Sequence, residues 1–238
     1  MKYKRILLKL SGEWLANKEK SLSIDYSLVD NIAIQLKKIR EQKIEIAIVI
    51  GGGNFWRGAS AEKNGIPRNR ADYIGMLATI MNALALQSGF EKHGLKCRVQ
   101  SSINIDPKVA ENYITEKAKK YLSSGEIVIF AAGTGRPYFT TDTAATLVAS
   151  EIEADIILLG KNKVTGIYDS DPNINADAKR YSSISYDEIL SKNLKVIDST
   201  AATMARDNNI NALVFDIGTK DAILNVLNEK GLFTKVSK

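Results

Sequence analysis

Apolar residues along the chain recur in two rhythms. Short runs rich in Ile, Leu and Val read as strands: Arg5 to Leu10, Ile44 to Ile50, Cys97 to Ser101, Glu126 to Ala132 and Asp155 to Leu159. They are brief and bounded by glycine or polar residues, as buried strands are. Between them apolar positions step by three and four. Ile24, Leu28, Val29, Ile32, Leu36 and Ile39 line one face of a helix that Ser23 or Asp25 can cap and that ends near Gln42. Met76, Leu77, Ile80, Met81 and Leu84 mark a second helix. Asp106-Pro107 supplies an N-cap carboxylate and a proline for the first turn, which predicts a third helix there with Val109, Tyr113, Ile114, Tyr121 and Leu122 as its buried stripe. Another helix begins near Thr141, and the tail repeats the alternation over Ala201 to Asn208, Leu213 to Asp216, Asp221 to Asn228 and Leu232 to Val236.

Strands alternating with helices predict an α/β fold: a three-layer αβα sandwich around a mostly parallel central sheet. No fixed-period repeat or shift in composition divides the 238 residues, so one domain over 1–238 is expected. Lys161 to Ser185, rich in Asn, Asp and Ser, reads as a long surface excursion.

Composition narrows the function classes. With 45% apolar and 25% charged residues, the chain can build a core without staples. One cysteine, Cys97, and one histidine, His93, exclude an internal disulfide and a Cys/His metal cluster, and they suit a reducing, cytoplasmic setting. His93 reads as a cation at a helix C-terminus and Cys97 as a small buried hydrophobe. No apolar run is expected to span a membrane, and the basic start Met1 to Arg5 leads into no signal-peptide pattern. Lys and Arg exceed Asp and Glu by 33 − 27 = 6, which suits a polyanionic ligand. Lys37, Lys38, Lys117, Lys119 and Lys120 are dispersed among glutamates on helical faces, a pattern that argues against a nucleic-acid binder or a catalytically silent nucleotide sensor.

Ligands of parallel sheets bind beyond the carboxyl ends of strands. Four strands here run into Lys9-Leu10-Ser11-Gly12, Gly51-Gly52-Gly53-Asn54, Gly133-Thr134-Gly135 and Gly160-Lys161-Asn162-Lys163. Glycine lets peptide N–H groups approach an anion, and Lys9, Arg57, Lys161 and Lys163 can neutralise it. Any one such loop is as often a plain turn; four on one edge favour a phosphate site. Walker A spacing is absent, Trp56 and Tyr138 stand where dinucleotide fingerprints need a third glycine, and neither H-R-D nor D-F-G occurs. Phosphoryl transfer remains, since it depends on positioning and charge neutralisation more than on a protein nucleophile. Asp142 can orient the lysines or lie near a metal, and an acceptor phosphate, already ionised, needs no general base.

These loops resemble the amino acid kinase superfamily and, within it, the bacterial-type UMP kinase branch. The matching stretches are Lys4 to Glu13, Gly51 to Gly58, Asp72 with Met76 to Thr79, Gly133 to Asp142, and Asp169 to Pro172. The resemblance implies phosphorylation of UMP to UDP by ATP and Mg2+, for pyrimidine nucleotide synthesis. It implies that Lys9, Leu10, Ser11, Gly12, Gly53 and Arg57 contact ATP and that Asn162, Tyr168 and Asp171 hold its nucleoside part. Gly52, Asp72, Gly133, Thr134, Gly135, Arg136, Pro137, Tyr138, Phe139 and Thr140 would bind UMP, with Asp72 on the ribose hydroxyls. Lys9, Asp142 and one lysine of Lys161 and Lys163 would be catalytic, Lys161 being the expected one, with no metal ligands from the chain itself. A homohexamer built from dimers and inhibition by UTP are also implied, and no membrane or nucleic-acid partner. Carbamate, aspartate and acetylglutamate are the acceptors of other branches. The chain departs from the family pattern at Trp14, Arg136 and Thr165, and Lys18 to Ser23 replaces a Gly-Phe-Gly-like segment associated with GTP activation.

Overall fold

Among the described residues, nine strands hydrogen-bond into one sheet in the order β4-β3-β5-β2-β1-β6-β8-β9-β7. They are β1 (Arg5–Leu10), β2 (Glu45–Ile50), β3 (Cys97–Ser101), β4 (Glu111–Asn112), β5 (Ile127–Ala131), β6 (Ile156–Lys161), β7 (Ser183–Ser185), β8 (Ala212–Asp216) and β9 (Phe233–Ser237). The computed structural model describes residues 2–238 except Lys18, 59–63, Asn173 and Ala176. Lys18, first residue of the segment replacing the Gly-Phe-Gly-like stretch, therefore lies outside the described residues. All neighbouring strands run parallel except β8 and β9. Leu10 pairs with Ile50 on one side and Gly160 on the other, so the glycine loops after β1, β2, β5 and β6 share one edge.

Alternation along the strands divides the core. Ile6, Leu8 and Leu10 of β1 face the layer of α2 (Tyr26–Glu41), α3 (Arg68–Lys92) and α8 (Ala222–Leu227). Leu7, with Ala47, Val49, Val128 and Phe130, faces α4 (Thr115–Ser123), α5 (Thr141–Glu151), α6 (Tyr186–Ser191) and α7 (Ser199–Asp207). Each such fully buried Leu or Ile contributes about 1.5–3 kcal/mol, and strands buried on both faces need the continuous apolar runs seen here. A one-turn helix, α1 (Gly12–Leu15), follows β1. Asp25 caps α2 as expected, accepting from the Ser27 amide at 3.0 Å. Hydrogen bonds from the Ser27 hydroxyl, Asn17 and that amide hold its carboxyl at about 2. His93 ends α3 as its C-cap and contacts Asp30 of α2 at 2.8 Å, while Cys97 is buried and burial pushes its thiol up to about 12.

Three expectations change. Asp106-Pro107 starts a turn rather than a helix: the Asp106 carbonyl accepts from Val109 N, and the carboxylate from Lys108 N. The chain then pairs along the edge of β3 as β4, and the helix begins only at Thr115, leaving Val109 and Ile114 exposed. Secondly, α3 carries no charged residue between Asp72 and Glu91 and is long and apolar enough, by length and composition, to cross a membrane. Met76, Ile80, Leu86 and Phe90 are buried in the core, while Tyr73, Ile74, Leu77 and Met81 form an exposed stripe. Lastly, the polar excursion ends in two short elements not foreseen, β7 and α6. A capping box between Ser185 and Glu188 starts α6.

Candidate active site

At the shared edge, one carboxylate sits between two ammonium groups. Lys9 lies on the central strand β1, Lys161 ends β6, and Asp142 occupies the first turn of α5, where the helix dipole favours a negative charge. Thr140 caps that helix, its hydroxyl accepting from the amides of Asp142 and Thr143 at 3.1 Å each. Lys9 Nζ is 2.5 Å from Asp142 Oδ1, and Lys161 Nζ is 3.3 Å from Oδ2. Burial alone would raise the Asp142 carboxyl, but the charges of Lys9 and Lys161 outweigh it and hold the group at about 2. Burial lowers the Lys161 ammonium, against the pull of Asp142. Lys163 stands outside this trio: it is exposed, with φ of 59°, and its amide donates to Asp216 Oδ1 at 3.1 Å.

The glycine loops beside this centre are packed where side chains do not fit. A Cβ on Gly12 would stand 2.5 Å from the Gly51 carbonyl and 2.6 Å from Asn54 Oδ1. Asn82, fully buried on α3, holds the loop in place by donating to Gly51 O and Asn54 Oδ1, both at 2.7 Å. Leu10 is buried, so only its backbone is available there, its carbonyl accepting from Gly51 N. After β5, Ala132, Gly133, Gly135 and Tyr138 all have positive φ, the left-handed backbone of a tightly turning loop. Gly135 has φ of 74°, and a Cβ there would lie 2.5 Å from Ser102 O.

Two clefts flank this centre, the first joined to it through Thr140 and Thr141 and the second lined by Lys161. Gly52, Asp72, Gly133, Thr134, Arg136, Phe139 and Thr140 line the first, together with Trp56 and Thr79. Thr79 pins the loop, accepting from Ala132 N at 2.6 Å. Pro137 and Tyr138 shape this loop without lining the cleft. Tyr138 is exposed, but its amide donates to Asp72 Oδ2 at 2.7 Å, and Arg68 Nε reaches both Asp72 oxygens at 3.0 Å. Lys161, Tyr168 and Asp171 line the second cleft with residues 192–196. The Tyr168 hydroxyl is 2.7 Å from Thr165 Oγ1, which orients the ring from the position where the family pattern has aspartate. Asn162 is exposed and outside this lining. Gly53 and Arg57 lie apart from Tyr168, in a recess with Asn17 and Ser23 where Arg57 pairs with Glu13 at 2.9 Å. Trp14 is buried in the core.

Between the clefts, Lys9, Thr140, Thr141, Asp142 and Asp198 line a junction with residues 193–195. Asp198, absent from the motif set, accepts from Thr140 Oγ1 at 2.5 Å and from Thr143 Oγ1 at 3.1 Å, and caps α7 through Ala201 N. Its capping role is a readable signal; its hold on Thr140 is not. Asn82 and Thr79 show in the sequence only as polar residues within an apolar helix.

A family model described as the amino acid kinase family matches residues 4–216. The chain belongs to the amino acid kinase family. Among curated relatives of this chain are the uridylate kinases of Mycoplasma mobile and Mycoplasmopsis synoviae. The first is 69% identical over 240 residues, covering 99% of this chain and 98% of the relative. The second is 68% identical over 238 residues and covers both chains completely. The crystal structure of UMP kinase from Ureaplasma parvum is 44% identical and superposes with a TM-score of 0.94, covering 100% of each chain. That of Bacillus anthracis UMP kinase is 38% identical with a TM-score of 0.94, over 99% of this chain and 96% of the other. The three-layer fold expected from the strand and helix rhythm is the one this chain shares with them.

Proposed function

We propose that the chain transfers the γ-phosphoryl group of ATP to UMP, forming UDP and ADP for pyrimidine nucleotide synthesis. The observation that carries this reading is the largely buried Lys9–Asp142–Lys161 array at the junction of two clefts, in a chain aligned along its whole length with uridylate kinases. A UMP phosphate oxygen attacks the γ-phosphorus, and the bond to the β–γ bridging oxygen breaks. The attacking oxygen is already ionised, so no residue has to remove a proton. Lys9 and Lys161 stabilise the charge spread over the moving group, and Asp142 keeps the two ammonium groups in place. The Gly133–Thr140 cleft receives UMP, with Gly52 and Asp72. The cleft of Tyr168 and Asp171 receives the nucleoside of ATP, with Asn162 at its margin. Lys9 to Gly12, Gly53 and Arg57 serve the phosphates.

Among the described residues no three His, Cys, Asp or Glu side chains stand together as a metal cage. Asp142 directs both oxygens to lysines. This fits Mg2+ carried mainly by the nucleotide phosphates, whose charge it neutralises while aligning them. The exposed stripe of α3 supports self-association into a homohexamer, with residues 1–238 as one unit in each protomer. UTP, sharing the uridine of UMP, is the expected inhibitor, and the cytoplasm the expected setting. ADP release measured over UMP, CMP, dTMP, carbamate, aspartate and acetylglutamate tests the assignment. The fastest turnover is expected with UMP; faster turnover with an amino acid or carbamate would refute it.

A further inference from the structure

The segment joining α6 to α7 enters the groove at a place no motif marks. Asn193 turns the chain with φ of 50°, and the amides of Asn193 and Leu194 donate to Leu190 O at 3.2 Å and Ile189 O at 3.0 Å. Leu194 and Val196 pack against the core, Ile197 is buried, and Lys195 between them is exposed. The apolar anchors on either side fix Lys195 facing the groove. It lines the junction beside Lys9, Asp142 and Asp198, and also the cleft of Lys161, Tyr168 and Asp171.

The other cations of this region are engaged. Lys9 and Lys161 share Asp142, and Lys192 pairs with Glu188 at 3.4 Å and lies 5.0 Å from the Tyr181 ring centroid. Lys195 has no carboxylate at pairing distance among the described residues. The charge at the junction is also incomplete. Two lysines and one aspartate leave a single net positive charge, and Asp198 at the margin opposes it. Donor phosphates bring several negative charges to this spot, and a lysine ammonium meets them as a mobile point charge. An exposed lysine on an open surface is ordinarily just solvated. Lys195 differs in lining both the cleft of Tyr168 and the junction that holds Lys9 and Asp142.

We propose that Lys195 is a donor-binding residue whose ammonium grips the terminal phosphates of the donor nucleotide. This rests on the phosphotransfer reading given above. Binding of Mg-ATP, Mg-ADP and AMP to wild type, Lys195→Ala and Lys195→Arg is measured by calorimetry, with steady-state kinetics and melting curves alongside. Lys195→Ala is expected to weaken ATP binding and raise the donor KM by about tenfold or more, as for loss of a charge-assisted hydrogen bond. AMP binding and the UMP KM should stay within about twofold, and Lys195→Arg should recover most of the loss. ATP binding unchanged in Lys195→Ala, or AMP weakened as much as ATP, would overturn the proposal. A Lys161→Ala control separates the two readings. Wild type with no ADP formation from ATP and UMP rejects phosphotransfer itself. Active wild type, inactive Lys161→Ala and unaltered Lys195→Ala reject only the role of Lys195.

Discussion

Replacing Asp142 with asparagine removes the one negative charge between Lys9 and Lys161 while keeping the side chain's shape. In the folded chain the carboxyl falls from its ordinary 3.8 to about 2, so its ionised form is favoured by about 2 kcal/mol. Because the folded value is depressed, this stability is present above about pH 4 and is lost as the pH falls through about 2. Asp142→Asn forfeits that attraction and leaves two buried ammonium groups facing each other, for a total near about 3 kcal/mol. At about 2–4 °C per kcal/mol for a chain of this size, the melting temperature at pH 7 should drop by about 6–12 °C. Turnover should fall by about a hundredfold or more, since the lysines lose the group that places them. Thermal melts of both proteins from pH 7 down to pH 2.5 test the reasoning, with the gap narrowing below about pH 4 as the wild-type carboxyl gains its proton. An asparagine variant as stable as wild type at neutral pH would show that the trio is not held by this charge balance.

The remaining tests separate neighbouring roles. Lys161→Ala should lose nearly all turnover while Lys163→Ala keeps it, because only Lys161 reaches Asp142; equal losses in an ADP-release assay would contradict this. Asp72→Asn should raise the UMP requirement with ATP affinity nearly unaltered, and equal weakening of both substrates would place Asp72 elsewhere. Gly12→Ala should destabilise the fold by about 1–3 kcal/mol in urea melts, since its Cβ would overlap the Gly51 carbonyl. Met81→Glu on the outer stripe of α3 should shift the sedimentation profile toward smaller species without lowering the monomer's melting temperature.

The edge of the sheet was legible because each feature there is local: a strand run, then glycine and lysine. Lys9, Gly51 to Gly53 and Gly133 to Gly135 needed nothing beyond their own stretches. Asp106-Pro107 misled for the same reason, a sound capping signal overridden by hydrogen bonds along the free edge of β3 that no local pattern reveals. Asp198, Asn82 and Thr79 act on loops distant in sequence, through single hydrogen bonds to Thr140, Gly51 and Ala132, and only tertiary geometry exposes such partners. The contrast between Lys161 and Lys163 was not legible, because it depends on two more residues of strand, which carry β6 as far as Lys161 before the chain turns at Lys163.

Lys9 is flanked by Val49 and Leu159 in the most interior part of the sheet, clamped by parallel ladders on both sides. A side chain rooted there has no way to travel toward its reactants. Under the proposed phosphotransfer, the nucleotides have to come to a stationary anchor.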